Sequence, residues 1–121
     1  MHINKLIAIN SLTNKLVYET DDDIIAKRNH LVYYVEFKPN NQLEVVSNDT
    51  YFELDDQDKS IIQLFVNSGF IQVNETTLVN VNFISQILIH SQLLELSNLM
   101  AIPYSAKFKN NIDNYLQSLN D

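Results

Sequence analysis

The apolar residues of this chain stand in short runs, never longer than five residues, which polar clusters rich in asparagine separate. Runs of this length favour short strands joined by turns over long amphipathic helices. They also fall well below the roughly 18 consecutive apolar residues that a membrane span requires. Because the chain contains a single glycine, its turns must rely on asparagine, which tolerates left-handed backbone conformations better than most residues. We therefore expect a mainly β protein with no membrane contact.

Chain length, composition and charge narrow the possible classes of protein. At 121 residues the chain has the usual size of one domain, so we expect residues 1–121 to form a single domain. The absence of cysteine excludes disulfides, thiolate metal sites and a cysteine nucleophile. The N-terminal apolar run of four residues is too short for a signal peptide, which predicts a cytoplasmic protein. The net charge of −7 has the wrong sign for attraction to a phosphate backbone.

The apolar runs predict strands along most of the chain. The firmest segment is β-branched and aromatic, spans residues 31–37, and is followed by turns at 38–41 and 47–49 that produce an antiparallel meander. Pro103 should avoid a central ladder position, because proline has no backbone donor. The predicted strands lie within residues 6–9, 16–18, 24–25, 31–37, 43–46, 50–54, 70–73, 77–79, 84–89 and 93–96.

Two amphipathic segments predict helices. Asp55 or Asp56 is a suitable N-cap for the first helix, which we place at residues 56–67. Gly69 follows it, where a helix end often needs a residue with positive φ. The second helix should begin after Ser105, another suitable N-cap, and end the chain. Its apolar stripe fits packing against the protein's own sheets or, alternatively, a partner helix. That stripe consists of Phe108, Ile112, Tyr115, Leu116 and Leu119.

Three segments resemble, in order and spacing, the signature of LytTR-type DNA-binding domains. Residues 69–84 are similar to the family's Phe-Ile-Arg-Val-His-Arg-Ser run, its apolar-Val-Asn triplet and a following isoleucine. Residues 32–36 resemble the family's early strand, and residues 102–105, with the sequence Ile-Pro-Tyr-Ser, resemble its late Ile-Pro-Val-Ser motif. The similarity covers about residues 31–119, whereas residues 1–30 match only loosely.

The resemblance implies a mainly β fold with short helices, in which small antiparallel sheets form an elongated β-β-β stack. It also implies that double-stranded DNA is the partner, bound by loops that enter successive major grooves. Of the family's DNA-contacting positions, only Lys107 keeps a positive charge here, and Lys109 lies close to it. Those positions fall near Asn41 and Gln42, on Gln72, Asn74 and Glu75, and on Ala106 and Lys107.

The lost positive charges lower the expected DNA affinity, because each lysine or arginine that neutralises a phosphate also releases counterions. Glu75 should repel phosphates, although a carboxylate at a base edge can accept a hydrogen bond from cytosine. The asparagine and glutamine side chains retain the ability to hydrogen-bond adenine. Two acidic clusters, at residues 19–23 and 53–58, hold eight carboxylates, and without them the rest of the chain is nearly neutral.

Other kinds of site are not predicted. The acidic residues 19–23 lack the ligand spacing and glycine of a calcium-binding EF-hand loop. His2, His30 and His90 lie far apart, with neither zinc-ligand spacing nor a serine nucleophile motif. A single glycine also excludes glycine-rich phosphate loops. We therefore expect no cofactor, no metal and no enzymatic activity, and we expect Asn80 to hold a turn by bonding backbone groups.

Two functions remain open. The first is a stand-alone LytTR-like transcriptional regulator, whose DNA-binding residues would be Asn41, Gln42, Gln72, Asn74, Lys107 and Lys109. The alternative is a degenerate LytTR-like interaction module that does not bind DNA and instead pairs with, or antagonises, another LytTR-type regulator. Pairing with a second copy of itself is open as well.

Overall fold

The computed structural model describes residues 2–3, 5–10, 15–27, 31–48, 51–55, 57 and 60–119. The α-helices in these residues are α1 (Ile61–Asn67) and α2 (Lys109–Ser118). Short 3₁₀ turns cover Pro39–Asn41, Val81–Phe83 and Ala106–Phe108. The strands are β1 (His2–Ile3), β2 (Lys5–Asn10), β3 (Lys15–Glu19), β4 (Ile24–Lys27), β5 (Val32–Lys38), β6 (Gln42–Ser47), β7 (Tyr51–Leu54), β8 (Phe70–Gln72), β9 (Thr77–Asn80), β10 (Ile84–Leu88), β11 (Leu93–Leu96) and β12 (Ala101–Pro103).

The strands form three small sheets, which confirms the predicted mainly β fold. The central sheet has the strand order β1-β7-β6-β5-β9-β8, while β2–β4 and β10–β12 each form a sheet of three strands. Neighbouring strands are antiparallel except for β1, which pairs parallel with β7 over two residues. The predicted meander is present as β5-β6-β7. Pro103 lies on β12, at an edge of its sheet, where its missing donor costs nothing.

Two apolar cores hold the three sheets together as a stack. The first core joins one face of the central sheet to α1 and to the sheet of β2–β4. It contains Leu6, Ile9, Leu16, Tyr18, Val32, Val35, Leu43, Val45, Leu54, Phe65, Phe70 and Leu78. The second core joins the opposite face to α2 and to the sheet of β10–β12. It contains Tyr34, Val73, Val79, Leu94, Leu96, Ile102, Tyr104 and Ile112.

Strand β9 lies between the two cores, and all four of its residues are buried. Leu78 belongs to the first core and Val79 to the second, because successive side chains of a strand point to opposite faces. At the end of the strand Asn80 is 2% exposed; its Nδ2 donates to the Val32 carbonyl at 3.0 Å, and its Oδ1 accepts from the Asn82 N–H at 3.0 Å. These contacts agree with the structural role expected for Asn80.

A β-bulge in β5 decides which side chains meet the second core. The pairing of β5 with β6 shifts between Val32 and Tyr34, so that Tyr33 is the extra residue. Tyr33 packs against this core with its ring 4.8 Å from that of Phe83, and Tyr34 is buried within it. Beyond the bulge the alternation resumes, and this places Glu36 on the same face as Tyr34.

The first helix is shorter than predicted. Helix α1 begins at Ile61 rather than at residue 56, and Ser60 occupies the N-cap position. Residues 56 and 58–59 lie outside the described residues. Asp55 directly follows β7, and its carboxylate accepts a hydrogen bond from the Gln42 side chain instead of capping a helix. The predicted end of the helix is confirmed, because Gly69 follows with a φ of 95°.

The second helix begins three residues later than the N-cap Ser105 suggests, because a 3₁₀ turn comes first. Ile112 is buried in the second core, and Phe108 and Tyr115 are half-buried, so most of the predicted stripe packs on the protein itself. Leu116 and Leu119 remain 40% and 64% exposed. No helix in the described part of the chain is long and apolar enough to cross a membrane.

Candidate nucleic-acid interface

The loop between β8 and β9 is built around Asn74. Its Oδ1 accepts hydrogen bonds from the Thr76 backbone N–H at 2.9 Å and from the Thr76 hydroxyl at 3.1 Å. A side chain that bonds its own backbone two residues ahead replaces a backbone turn, which asparagine does readily. Val73 closes the same loop by donating its N–H to the Thr77 carbonyl at 3.0 Å. Glu75 lies at the exposed tip.

The same loop is tied to the chain on either side of Ser105. Asn74 donates from Nδ2 to the Pro103 carbonyl at 2.7 Å, and the Ser105 N–H donates to the Val73 carbonyl at 3.0 Å. From α2, the Asn111 side chain donates to the Gln72 carbonyl at 2.9 Å. We call these three bonds the clasp. The clasp holds two segments that are thirty residues apart in the sequence as one surface.

The side chains of Gln72 and Asn74 make hydrogen bonds that hold the loop in place. Both oxygen and nitrogen of the Asn74 amide are engaged, and the Gln72 Nε2 donates to the Asn74 carbonyl at 3.1 Å. Reading a base through either side chain would break hydrogen bonds that hold the loop. The sequence did not single out Asn111, because an asparagine on a helix gives no signal of a distant backbone partner.

The two predicted lysines lie between Ser105 and Asn111, with Lys107 in the 3₁₀ turn and Lys109 at the start of α2. Lys107 is exposed, and its ammonium lies 5.5 Å from the centre of the Phe108 ring. The Lys109 ammonium lies 3.6 Å from the Asp113 carboxylate, and both side chains are more than half exposed. Such exposed pairs contribute little stability and exchange partners easily. Both lysines are therefore accessible to an anion.

The remaining predicted residues, Asn41 and Gln42, lie in the turn between β5 and β6. Asn41 is exposed with a φ of 60°, in the left-handed region that asparagine tolerates. The Gln42 Nε2 donates to the Asp55 carboxylate at 3.1 Å and to that of Glu53 at 3.4 Å. The turn and the Asn74 loop occupy the same end of the central sheet, since the Phe37 N–H donates to the Thr76 carbonyl at 2.7 Å.

A row of three glutamates crosses the central sheet beside that turn. Glu36 pairs with Glu44, which in turn pairs with Glu53, and directly paired residues share a face at about 5 Å between Cβ atoms. We call these residues the acidic row. The Lys38 ammonium lies 3.5 Å from the Glu36 carboxylate. Among the described residues, no group of histidine, cysteine, aspartate or glutamate side chains could hold a metal ion.

The pKa of a buried tyrosine beside the acidic row is shifted. Burial raises the pKa of Tyr34 above its usual range, and the negative charges of Glu44 and Glu36 raise it further. Glu53 belongs to one of the two acidic clusters in the sequence, whereas Glu36 and Glu44 lie outside both clusters. Pairing residue 38 with residue 42 across the predicted turn would have placed Glu36 opposite Glu44 and so indicated the acidic row.

Replacing Asn74 should separate the two functions of its amide. Asn74→Asp keeps the oxygen that accepts from Thr76 and removes the donor to Pro103, whereas Asn74→Ala removes both. We expect both variants to lose about 1–3 kcal/mol of unfolding free energy, because Asn74→Ala leaves the loop bonds unmade and Asn74→Asp turns a carboxylate oxygen towards the Pro103 carbonyl. Urea denaturation measures this, and amide exchange should show Thr76 protected in Asn74→Asp alone. Unchanged stability of both variants would contradict the clasp.

Alkaline pH should destabilise the protein through Tyr34. Because the folded pKa is raised, Tyr34 stays protonated in the native state while the unfolded chain ionises above about pH 10, so this contribution to stability is complete below that pH and is lost as pH rises towards the folded pKa. Tyr34→Phe should therefore lose less unfolding free energy than the wild type between about pH 9 and pH 11. Tyr33→Phe is the matched control. Parallel pH profiles for wild type and Tyr34→Phe would refute the assignment.

No model of a protein family matches the sequence, and no curated protein matches it. A structural match exists, however, to a LytTr DNA-binding domain from Bacillus cereus. The match has a TM-score of 0.66 at 24% sequence identity and covers 84% of this chain and 95% of that domain. It agrees with the stack of small antiparallel sheets. The chain therefore has the fold of a LytTR-type domain.

Proposed function

We propose that this protein is a LytTR-like transcriptional regulator, formed by residues 1–121 as one domain, which binds double-stranded DNA through loops at one end of its central sheet. The observation that carries the proposal is the clasp. It fixes the Asn74 loop against the segment that leads to Lys107 and Lys109, within a fold that a LytTr DNA-binding domain shares. The Asn74 loop, the segment before α2 and the start of α2 form one surface that the clasp holds in place. Such a surface suits insertion into a groove of DNA.

The contacts within the loops give the predicted residues different roles. Lys107 and Lys109 supply phosphate contacts, because their ammonium groups are exposed. Gln72 and Asn74 act as positioning residues, because the Asn74 amide donates within the clasp and the Gln72 amide donates to the Asn74 carbonyl. Asn41 is exposed in its turn and is the side chain we assign to base contact. Gln42 keeps the neighbouring carboxylates of Glu53 and Asp55 hydrogen-bonded.

The direction of approach follows from the charges. The lysines lie on the side of the central sheet that carries β8 and β9, whereas the acidic row crosses β5, β6 and β7. A duplex should therefore make its strongest contacts beside the clasp, while the negative charge next to the β5–β6 turn weakens the contact assigned to Asn41. The small number of cations predicts weak binding that is detectable at low ionic strength and falls as salt rises.

DNA binding should depend on Lys107 and improve when Glu75 is neutralised. Lys107→Gln removes one phosphate contact, so the slope of log affinity against log salt should fall by about 0.9. Glu75→Gln should raise affinity by about two- to fivefold, because it removes a repulsive charge from the loop tip. Fluorescence anisotropy with a pool of labelled duplexes measures both effects.

Lys5→Gln is the matched control for this experiment, because Lys5 is exposed on β2 in another sheet. It removes the same charge and should leave the salt slope unchanged. The proposal fails if the wild type does not bind duplex at low ionic strength, or if Lys5→Gln and Lys107→Gln weaken binding equally. Equal weakening would indicate an effect of net charge alone.

The acidic row supports a second candidate function, an interaction module that pairs with another LytTR-type regulator and occupies its DNA-binding surface. Such a surface carries positive charge, and three aligned carboxylates complement it. A triple substitution of the row to glutamine should then abolish co-purification with such a regulator, while Glu19→Gln, on β3, should not. Retained binding by the triple variant would eliminate this candidate.

A further inference from the structure

The turn between β10 and β11, at residues 89–92, lies beside the clasp. The Tyr104 N–H donates to the Gln92 carbonyl at 3.0 Å. Tyr104 directly precedes Ser105, whose N–H donates to the Val73 carbonyl as part of the clasp. The turn is therefore attached to the same segment that the clasp holds on its other side.

Strand pairing sets the distance between this turn and the Asn74 loop. Leu93, the first residue after the turn, pairs with Pro103, and the Pro103 carbonyl accepts from Asn74. Strand β12 thus lies between the turn and the loop. With about 5 Å on each side of that strand, the turn and the loop are roughly 10 Å apart, close to the width of about 12 Å of a DNA major groove. One duplex can therefore contact both.

The polar side chains of the turn are available to a partner. His90, Ser91 and Gln92 are exposed, and within the part of the chain that the structure describes no hydrogen bond or ion pair engages their side chains. Each of them carries a hydrogen-bond donor. In this they differ from Gln72 and Asn74, whose amide groups hold the neighbouring loop in place.

The charges around the turn repel an anion less than those beside the β5–β6 turn. Residues 89–92 include no carboxylate. Ile89 lines a cleft between β10 and α2 together with Lys109 and Asp113, which form an ion pair that is neutral overall. The β5–β6 turn lies instead beside the three carboxylates of the acidic row. A phosphate group therefore meets less repulsion at residues 89–92.

We propose that residues 89–92 form a further contact with the DNA backbone, in which the side chains of His90, Ser91 and Gln92 donate hydrogen bonds to phosphate oxygens. Neutral side chains such as serine and glutamine supply many of the phosphate contacts in protein–DNA complexes. They position the duplex beside the clasp without adding positive charge, of which this chain has little. The inference rests on the proposed function, because it adds a segment to the same DNA-binding surface.

Charge changes at Gln92 test this contact, and the same changes at Leu99 are the matched control. Both residues are exposed, both have a positive φ, and they lie beyond opposite ends of β11. Gln92→Lys should raise duplex affinity about two- to fivefold and steepen the slope of log affinity against log salt by about 0.9. Gln92→Glu should lower affinity about two- to fivefold. Leu99→Lys and Leu99→Glu should change affinity little, because the β11–β12 turn lies away from the clasp.

Fluorescence anisotropy with labelled duplexes measures these affinities, and circular dichroism checks that each variant is folded. Amide chemical shifts of the unaltered chain give a second measurement, since added duplex should shift residues 89–92 and leave residues 97–100 in place. Equal effects of the Gln92 and Leu99 substitutions, or unshifted amides at residues 89–92, would overturn the inference. Binding that still depends on Lys107 would then leave the proposed function standing, whereas no duplex binding at low ionic strength would overturn both.

Discussion

The central sheet carries apolar side chains on both faces, and the placement of the other layers depends on this. Leu78 and Val79 are neighbours in β9, yet they enter different cores. Both faces must be removed from water, so the sheet needs a cover on each side. The outer sheets and the two helices supply these covers. As a result, the loops at the end of the central sheet extend from a layer that is held on both sides.

The charges at that end of the sheet are graded across its width. The acidic row lies on β5, β6 and β7, while Lys107 and Lys109 follow the clasp beside β8 and β9. This arrangement is compatible with the proposed DNA binding despite the acidic composition. Much of the negative charge lies on strands and turns away from the lysines, whereas Glu75 stands at the tip of the clasped loop and the Asp113 carboxylate lies 3.6 Å from the Lys109 ammonium. The local field, rather than the net charge, governs which partner approaches.

Local patterns predicted most of the fold but little of the site. Alternating and β-branched runs predicted the strands, and Gly69 predicted the end of α1. These predictions succeeded because each signal lies within a few residues of the element it predicts. The predicted start of α1 was wrong. Asp55 accepts a hydrogen bond from Gln42 on a neighbouring strand, and helix capping rules do not consider such a partner. The motif also suggested that Asn74 reads DNA. Its engagement with Pro103, which lies 29 residues away, depends on tertiary packing and leaves no local pattern.

The shared central layer also bears on how the molecule opens. Among the described residues, each outer sheet packs against only one of the two cores, so losing either core exposes one face of β5 and β9 to water. Partial unfolding of one side therefore removes support from the strands on which the other side rests. Cooperativity of this kind should keep the slowest-exchanging amides in the middle of the stack and confine low-cost opening to the turns.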